Sequence, residues 1–573
     1  MILNQYLPNE DLYSSFEDEK NFDDLEFILK NMLDDENRIN SIYAEKELLG
    51  QIHHATHLDE YRKSSFRKKL YDCSATILAH TWNKFFNQCK SLGISETVEF
   101  EWGNNLETKN FVDFFNYPNY LIPDDREELK DEEEINPPDI QHEPLKSLHP
   151  FQMPIVVQSL KKLKEMHGRC LIQMPTGTGK TRTSMEIVSR FLNEDKKQQI
   201  VWFADKSELL DQASLEFIHV WSHLGKFPVK LLRIYGDSKV KDIPETNSII
   251  FAGYEKLNNL LKNNAQIRPH LIVIDEAHRI IAPTYNEALR RITDLERGTR
   301  VIGLTATPGR GLDKKQNDDL VQEFDNVIIK IELDEEDKND FGNNVIRYLE
   351  EDQEVLSKAV PIRIKTDYEY VLTENDLNEL TKYEYGDKKE SKKIIKKLAE
   401  DNSRNILIID KLKEMAEQGK KIIYFSTDLP QSILVFAALQ KLGINAVHVD
   451  GETNKIFRRQ ILKKFKSTDE INVICNFDIF ATGVDVPKLD VVFIGRPVNS
   501  PVLFNQMVGR GTRGPKVGGN ETFSLVQIID KFKQSRFVGF DPYEQYRLWD
   551  PYWIEQNYDA YSEYENNDTE NHT

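Results

Sequence analysis

The sequence predicts an α/β protein with two tandem parallel-sheet lobes that follow a mostly helical N-terminal domain. Short apolar strands alternate with helices over two long stretches, and a charged segment separates these stretches. The strand at residues 170–174 runs directly into a Gly-rich turn and then into an amphipathic helical segment. Such alternation is typical of parallel sheets, whose ligands bind at the carboxyl ends of the strands.

The bulk composition is that of a globular protein with several domains. The chain has 573 residues, too many for one hydrophobic core, and 39% of them are hydrophobic and 30% charged. It lacks a run of about 18 apolar residues, so we expect no membrane span. The N-terminus has no basic segment followed by an apolar one, which argues against a secretory signal.

Charge and cysteine usage narrow the function classes further. The four cysteines show no Cys-x-x-Cys spacing, which argues against a Cys₄ zinc site or a disulfide scaffold. They favour a reducing compartment, so we expect a cytoplasmic protein. The net charge of −20 argues against a uniformly basic surface, but it is compatible with a local basic groove for nucleic acid.

The patterns divide the chain into six predicted parts. Helical apolar spacing marks the N-terminal domain, Pro and charge mark the linker, and low hydrophobicity marks the tail. The parts are a helical N-terminal domain of unassigned role (1–123), an acidic linker (124–145), a first lobe (146–332), a charged connector or insertion (333–402), a second lobe (403–535), and an aromatic-rich segment with an acidic disordered tail (536–573).

The Gly-rich turn of the first lobe, Thr176-Gly-Thr-Gly-Lys-Thr181, predicts a phosphate-binding loop. Backbone N–H groups and the helix N-terminus surround an anion in such a loop, Lys180 reaches the terminal phosphates, and Thr181 binds Mg²⁺. The full pattern has Gly where this chain has Met174, and a Gly-rich turn that binds nothing is the alternative. Gln152, upstream of the loop, can hydrogen-bond an adenine edge.

Two adjacent carboxylates end the apolar strand at residues 271–275. Asp275 can complete the Mg²⁺ shell with Thr181, and Glu276 can orient or deprotonate an attacking water. Adjacent carboxylates at a strand end can also be plain surface charge. The phosphate loop upstream makes the catalytic interpretation the better one.

Four ordered motifs resemble those of a superfamily 2 helicase. They are Asp275-Glu-Ala-His278, Thr305-Ala-Thr-Pro308, Ala481-Thr-Gly-Val-Asp-Val-Pro487 and Gln506-Met-Val-Gly-Arg-Gly-Thr-Arg513. With the phosphate loop they cover about two thirds of the chain, roughly residues 148–530. Among these DEAD/DEAH-box helicases, the resemblance is closest to the motor subunits of type I and type III restriction enzymes and to related DNA-repair helicases.

The resemblance implies two RecA-like lobes that clamp ATP with Mg²⁺. It implies that Arg510 and Arg513 of the second lobe act as arginine fingers on the γ-phosphate. It further implies that Gln506 acts in catalysis together with Lys180 and Glu276, and that His278, Thr305 and Thr307 couple the nucleotide state to nucleic acid. The residues that it implies for nucleotide binding are Gln152, Thr176, Gly177, Thr178, Gly179, Lys180, Thr181, Gly483 and Asp485.

The leading functional hypothesis is an ATP-dependent DNA helicase or translocase that acts on duplex DNA. By analogy it is the motor of a restriction-like, repair or antiviral defence system. No nuclease, methyltransferase or zinc module is visible, so cleavage would need a partner protein, which the N-terminal domain could dock. The alternatives are an RNA helicase and a nucleotide-gated interaction subunit without unwinding activity.

Overall fold

The structure is a computed structural model, and it describes most of the two lobes and part of the N-terminal region. The described residues are 20–32, 62–115, 117, 119–123, 129–138, 147–236, 238–240, 242–262, 267–280, 289–293, 298–309, 314–370, 392–477, 479–480, 486, 488 to 498 and 501–532.

The elements used below are numbered along the chain. The helices are α1 (Lys20–Met32), α2 (Ser64–Ser74), α3 (Ala79–Ser91), α4 (Leu106–Phe114), α5 (Gln152–Leu163), α6 (Lys180–Leu192), α7 (Ser207–Leu224), α8 (Tyr254–Lys262), α9 (Lys314–Glu323), α10 (Glu335–Phe341), α11 (Val345–Glu351), α12 (Lys392–Ala399), α13 (Asn402–Glu417), α14 (Leu429–Lys441), α15 (Lys455–Ser467) and α16 (Pro501–Val508). The strands are β1 (Glu132–Ile135), β2 (Arg169–Gln173), β3 (Gln199–Ala204), β4 (Val229–Ile234), β5 (Ser248–Gly253), β6 (Leu271–Asp275), β7 (Arg300–Thr305), β8 (Ile328–Lys330), β9 (Lys358–Tyr370), β10 (Ile422–Phe425), β11 (Ala446–Val449), β12 (Val473–Asn476), β13 (Val491–Ile494) and β14 (Thr522–Phe532).

The first lobe is an eight-stranded sheet with the order β1-β4-β5-β3-β6-β7-β2-β8. All its neighbouring strands are parallel except β1 and β4. Every residue of β3 and β6 is buried, as expected for parallel strands that helices cover on both faces. The carboxyl ends of β2, β6 and β7 therefore meet at one edge, where the predicted phosphate loop and carboxylates lie.

The second lobe is a six-stranded sheet with the order β11-β12-β10-β13-β14-β9, and its pairs are all parallel. Its short central strands are fully buried, which matches the apolar runs in the sequence. The prediction of two tandem parallel-sheet lobes is confirmed.

Two strands lie in segments that the sequence analysis interprets as a linker and a connector. β1 carries three glutamates and pairs antiparallel with β4, and β9 pairs along its length with β14. Both are edge strands with one neighbour, so they need no continuous apolar run, and local pattern did not reveal them. The connector between the lobes thus supplies a strand of the second sheet. The domain boundaries themselves stay predictions.

The described N-terminal helices pack on the second lobe. α1 shares a hydrophobic core with α13 and α14, while α2, α3 and α4 share a core with residues of β10, β11 and α15. The Gln460 side-chain amide of α15 donates to the Ile122 carbonyl (2.7 Å), and the Arg62 guanidinium lies 4.8 Å from the Phe457 ring centroid. The prediction of a mostly helical region holds for residues 62–115. No helix in the described ranges is long and apolar enough to cross a membrane.

Candidate nucleotide site between the lobes

The predicted phosphate loop connects the end of β2 to the start of α6. Gly177 and Gly179 adopt φ angles of 93° and 79°, in the left-handed region that favours glycine. Lys180 is the first residue of α6, and Thr181 follows it at the helix N-terminus, where backbone N–H groups lack partners within the helix. Strand, left-handed turn and helix N-terminus together form the predicted anion cradle.

Gln152 lies against this loop. Its side chain is 1% exposed, its Nε2 donates to the Thr178 carbonyl (2.9 Å), and its Oε1 accepts from the His149 N–H (2.8 Å). A Cβ on Gly179 would lie 2.6 Å from Gln152 Nε2, so glycine there leaves room for the amide. Gln152 therefore supports the loop directly, and its contact with adenine stays a prediction.

The two carboxylates lie where β6 ends. Asp275 is 7% exposed, and one of its oxygens accepts from the backbone N–H of Glu276 (3.0 Å). Glu276 has a φ of 51°, and a non-glycine residue in this region stores local backbone strain, a feature that concentrates at functional sites.

The charges around the pair act differently on its two members. Burial, reinforced by the Glu276 carboxylate, raises the pKa of Asp275 to about 7, although Lys180 opposes the shift. Burial also disfavours the charged form of Glu276, but nearby positive charges outweigh it and lower the pKa of Glu276; they come from Lys180, His278, Arg279 and Arg510. Glu276 is thus held as a carboxylate, as a water-activating residue requires.

The three predicted coupling residues form one hydrogen-bonded chain. His278 Nδ1 lies 3.3 Å from Thr305 Oγ1 and 3.4 Å from Glu276 Oε2. The Thr305 hydroxyl donates to the Thr307 carbonyl (2.7 Å) and accepts from the Thr307 N–H (3.0 Å). The carboxylate strand β6 is thereby linked to the end of β7. The coupling role itself stays a prediction.

The second lobe reaches this site through α16 and the turn after it. Arg510 lies close enough to Glu276 to lower its pKa, and its Nε donates to the Gln506 carbonyl (3.1 Å). The Thr512 hydroxyl donates to the carbonyl of Thr176 in the phosphate loop (3.0 Å). The candidate nucleotide site therefore has residues of both lobes beside it.

For three other predicted site residues, the structure gives less about the position of the side chain. The backbone of Arg513 forms an antiparallel bridge with Leu356, and a direct role of its side chain at the phosphate stays a prediction. Gly483 and Asp485 lie outside the described residues. Thr512 and Leu356 were missed by the sequence analysis. The position of Thr512 between the two predicted arginine fingers was the only signal for it.

In a comparison with known protein families, each of the two lobes matches a different domain family. The family "Type III restriction enzyme, res subunit" matches residues 145–310, and the "Helicase conserved C-terminal domain" matches residues 403–514. The resemblance to superfamily 2 helicases is thereby confirmed.

The chain is similar to a helicase and to a restriction-enzyme subunit from two different organisms. IRC3 of Saccharomyces cerevisiae is 24% identical over 64% of this chain and 49% of its own length. The type I restriction enzyme EcoAI endonuclease subunit of Escherichia coli is 25% identical over 69% of this chain and 48% of that subunit. The chain thus spans about half the length of these two relatives. The crystal structure of the Pyrococcus furiosus Hef helicase domain aligns with a TM-score of 0.39 at 20% identity, over 65% of this chain and 94% of that domain.

The donor set of the candidate site fits ATP with Mg²⁺. A threonine hydroxyl and a carboxylate are hard oxygen ligands that suit Mg²⁺, and Thr181 and Asp275 provide them. The buried Nε2 of Gln506, one turn before Arg510, has no hydrogen-bond partner among the described residues, so a donor is left for a bound acceptor. Lys180 and Arg510 supply positive charge from both sides of the site.

Proposed function

We propose that this chain is an ATP-driven motor that moves along duplex DNA. The observation that carries the proposal is the contact between the lobes at the candidate site: the Thr512 hydroxyl of the second lobe donates to the Thr176 carbonyl of the phosphate loop (3.0 Å), and the charge of Arg510 lowers the pKa of Glu276. A site assembled in this way changes whenever the lobes separate, and a motor requires such a coupling of chemistry to lobe motion.

Each predicted residue has a defined task in this proposal. Lys180 and the loop N–H groups bind the phosphates, and Thr181 and Asp275 would hold Mg²⁺, which would neutralise the charge that develops during phosphoryl transfer. Glu276 accepts the proton of the attacking water. Arg510 and Arg513 approach the terminal phosphate from the second lobe, with Gln506 beside them.

Duplex DNA is the substrate that the similarities support best. One relative is a subunit of a type I restriction enzyme, and the first lobe matches a family described by its type III counterpart. By the same similarity we propose a role as the motor of a restriction-like, repair or antiviral defence system, with a nuclease or other defence protein as partner. The N-terminal helices on the second lobe are the proposed docking place for that partner.

Steady-state ATP hydrolysis tests the proposal. Wild-type protein is assayed without nucleic acid and with duplex DNA, single-stranded DNA and RNA, beside Lys180→Ala and Glu276→Gln. We expect duplex DNA to stimulate ATP hydrolysis most, and we expect both variants to lose ATP hydrolysis. A fluorescent ATP analogue should still bind Glu276→Gln, because that substitution removes the base without removing the phosphate cradle.

The matched control is Lys197→Ala, which removes an exposed lysine beyond the far end of α6. It should hydrolyse ATP like the wild type. Stimulation mainly by RNA would contradict the choice of substrate and favour an RNA helicase. Binding of nucleotide with no hydrolysis under any condition would contradict the motor and favour a nucleotide-gated interaction subunit.

A further inference from the structure

At the candidate nucleotide site, Thr512 of the second lobe contacts the phosphate loop of the first. Thr512 is 2% exposed, and its hydroxyl donates to the carbonyl of Thr176 (3.0 Å). Thr176 lies 336 positions earlier in the chain. A Cβ on Gly177 would lie 3.0 Å from Thr512 Oγ1, and a Cβ on Gly509 would lie 2.6 Å from the Thr176 side chain. Glycine on each side therefore lets the two backbones approach.

The Thr512 hydroxyl also has an acceptor within its own lobe. The carbonyl of Gly509 lies 3.1 Å away, so the hydroxyl keeps a partner when the lobes separate. A buried donor without a partner would cost free energy in the open state, and this second acceptor removes that cost. The bond to Thr176 can thus form and break with lobe closure.

The connector between the lobes holds Thr512 in place. The Ser357 N–H donates to the Thr512 carbonyl (2.9 Å), and the Gly514 N–H donates to the Val355 carbonyl (2.9 Å). The buried side chain of Leu356 would lie 3.3 Å from a Cβ on Gly177, so the connector contacts the phosphate loop and the arginine turn together.

We propose that Thr512 is a positioning residue for ATP hydrolysis, which sets Arg510 against the site by bonding to the Thr176 carbonyl of the phosphate loop. The inference rests on the proposed function. In a trans peptide the C=O and N–H point in opposite directions, so a held Thr176 carbonyl also fixes the direction of the Gly177 N–H in the cradle. Thr512 thereby aligns both halves of the site without contacting the reacting atoms.

The experiment measures kcat and KM for ATP, with duplex DNA at saturation, in wild type, Thr512→Val and Thr512→Ser. Valine keeps the shape and removes the hydroxyl, and we expect kcat to fall about fivefold to tenfold while KM changes less than about twofold, as for an interaction made mainly in the transition state. Serine keeps the hydroxyl and should restore kcat to within about twofold of wild type.

The matched control is Thr299→Val, which removes an equally buried hydroxyl at the opposite, amino-terminal end of β7. Thr299 donates to the Pro269 carbonyl (2.8 Å) and is 1% exposed. Its loss should leave kcat unchanged. Binding of the fluorescent ATP analogue checks that each variant is folded, and Thr512→Ala replaces Thr512→Val if valine prevents folding.

Three results would overturn the inference: an unchanged kcat in both Thr512→Val and Thr512→Ala, a rise in KM with kcat retained, or a serine variant as slow as valine. In these cases wild type still hydrolyses ATP and Lys180→Ala does not, so the proposed function stands. If wild type is as inactive as Lys180→Ala, the proposed function fails, and the positioning role fails with it.

Discussion

At the scale of single residues, burial decides which carboxylates carry charge. Asp428 caps α14 by accepting from the Gln431 N–H (2.9 Å). Burial, with a contribution from Glu400, raises the pKa of Asp428 to about 6, although the Gln431 N–H and the charges of Lys396 and Arg496 oppose it. Asp428 therefore caps the helix, but its ionised carboxylate is partly removed from water, which disfavours the charged form.

This raised pKa predicts a pH dependence of stability. A carboxyl whose pKa is higher in the folded state destabilises the fold above that pKa, and the penalty disappears as the pH falls toward the unfolded value. Asp428→Asn keeps the capping acceptor and removes the charge. We expect it to raise the free energy of unfolding at pH 7.5 by on the order of 1 kcal/mol, and to have little effect near pH 4.

Urea unfolding followed by circular dichroism at the two pH values measures the effect. The comparison variant is Asp401→Asn, at the cap of α13, where the side chain accepts from the Arg404 N–H (2.9 Å). A gain from Asp428→Asn that is equal at both pH values would contradict the assignment to the buried charge.

At the scale of elements, α15 contacts both the first lobe and the N-terminal helices. Arg458 and Arg459 pair across the lobes with Glu208 (2.5 Å) and Asp211 of α7. On its other side α15 contacts Arg62 through Phe457. The helix therefore contacts the first lobe and the N-terminal region together.

The ion pair between Arg458 and Glu208 predicts a charge-swap rescue. Arg458→Glu brings two carboxylates together across the lobes, so we expect several-fold slower DNA-stimulated hydrolysis, and Arg458→Glu with Glu208→Arg should recover most of it. Both side chains are at least three quarters buried, so the coupling should be about 1 kcal/mol or more, above that of an exposed pair. Initial rates of ATP hydrolysis at two salt concentrations measure it.

The control for this swap is Lys413→Glu, which breaks a more exposed pair with Glu417 inside α13. It changes the net charge as Arg458→Glu does, but it leaves the interface between the lobes intact. Equal slowing by the two single variants would show that net charge, and not the contact between lobes, is responsible.

At the scale of the whole molecule, the N-terminal helices and the second lobe share one hydrophobic core. Phe111, Trp82 and Phe85 belong to the same buried cluster as Phe457 and Ile461 of α15. Residues 62–115 thus precede the first lobe in sequence but pack against the second, so we expect them to move with the second lobe during a catalytic cycle.

A large-to-small substitution in this core should therefore weaken the second lobe selectively. Phe111 is fully buried, and Phe111→Ala should cost about 3–5 kcal/mol through lost burial and a cavity. Amide hydrogen exchange should accelerate in β11, β12 and α15, but not in β6 of the first lobe. Phe27→Ala, which truncates a half-exposed side chain of α1, is the control. Faster exchange confined to residues 62–115 would contradict the shared core.

Sequence by itself determined the two sheets and predicted the candidate site at their edge. Central parallel strands are buried on both faces, so the sequence of each is a run of apolar residues. The phosphate loop, the paired carboxylates and the predicted coupling threonines directly follow such runs. Local pattern therefore predicted Lys180, Asp275 and Glu276, whereas Arg510 followed from the resemblance to superfamily 2 helicases.

Only the tertiary structure decided the edge strands β1 and β9, the docking of the N-terminal helices and the bond from Thr512 to Thr176. An edge strand depends on the unpaired N–H and C=O groups of its neighbour, which leave no mark on its own sequence. The acidic β1 carries no apolar run and is ordered by β4 alone. A contact between residues 336 positions apart likewise depends on how the two lobes meet, and no local periodicity carries that information.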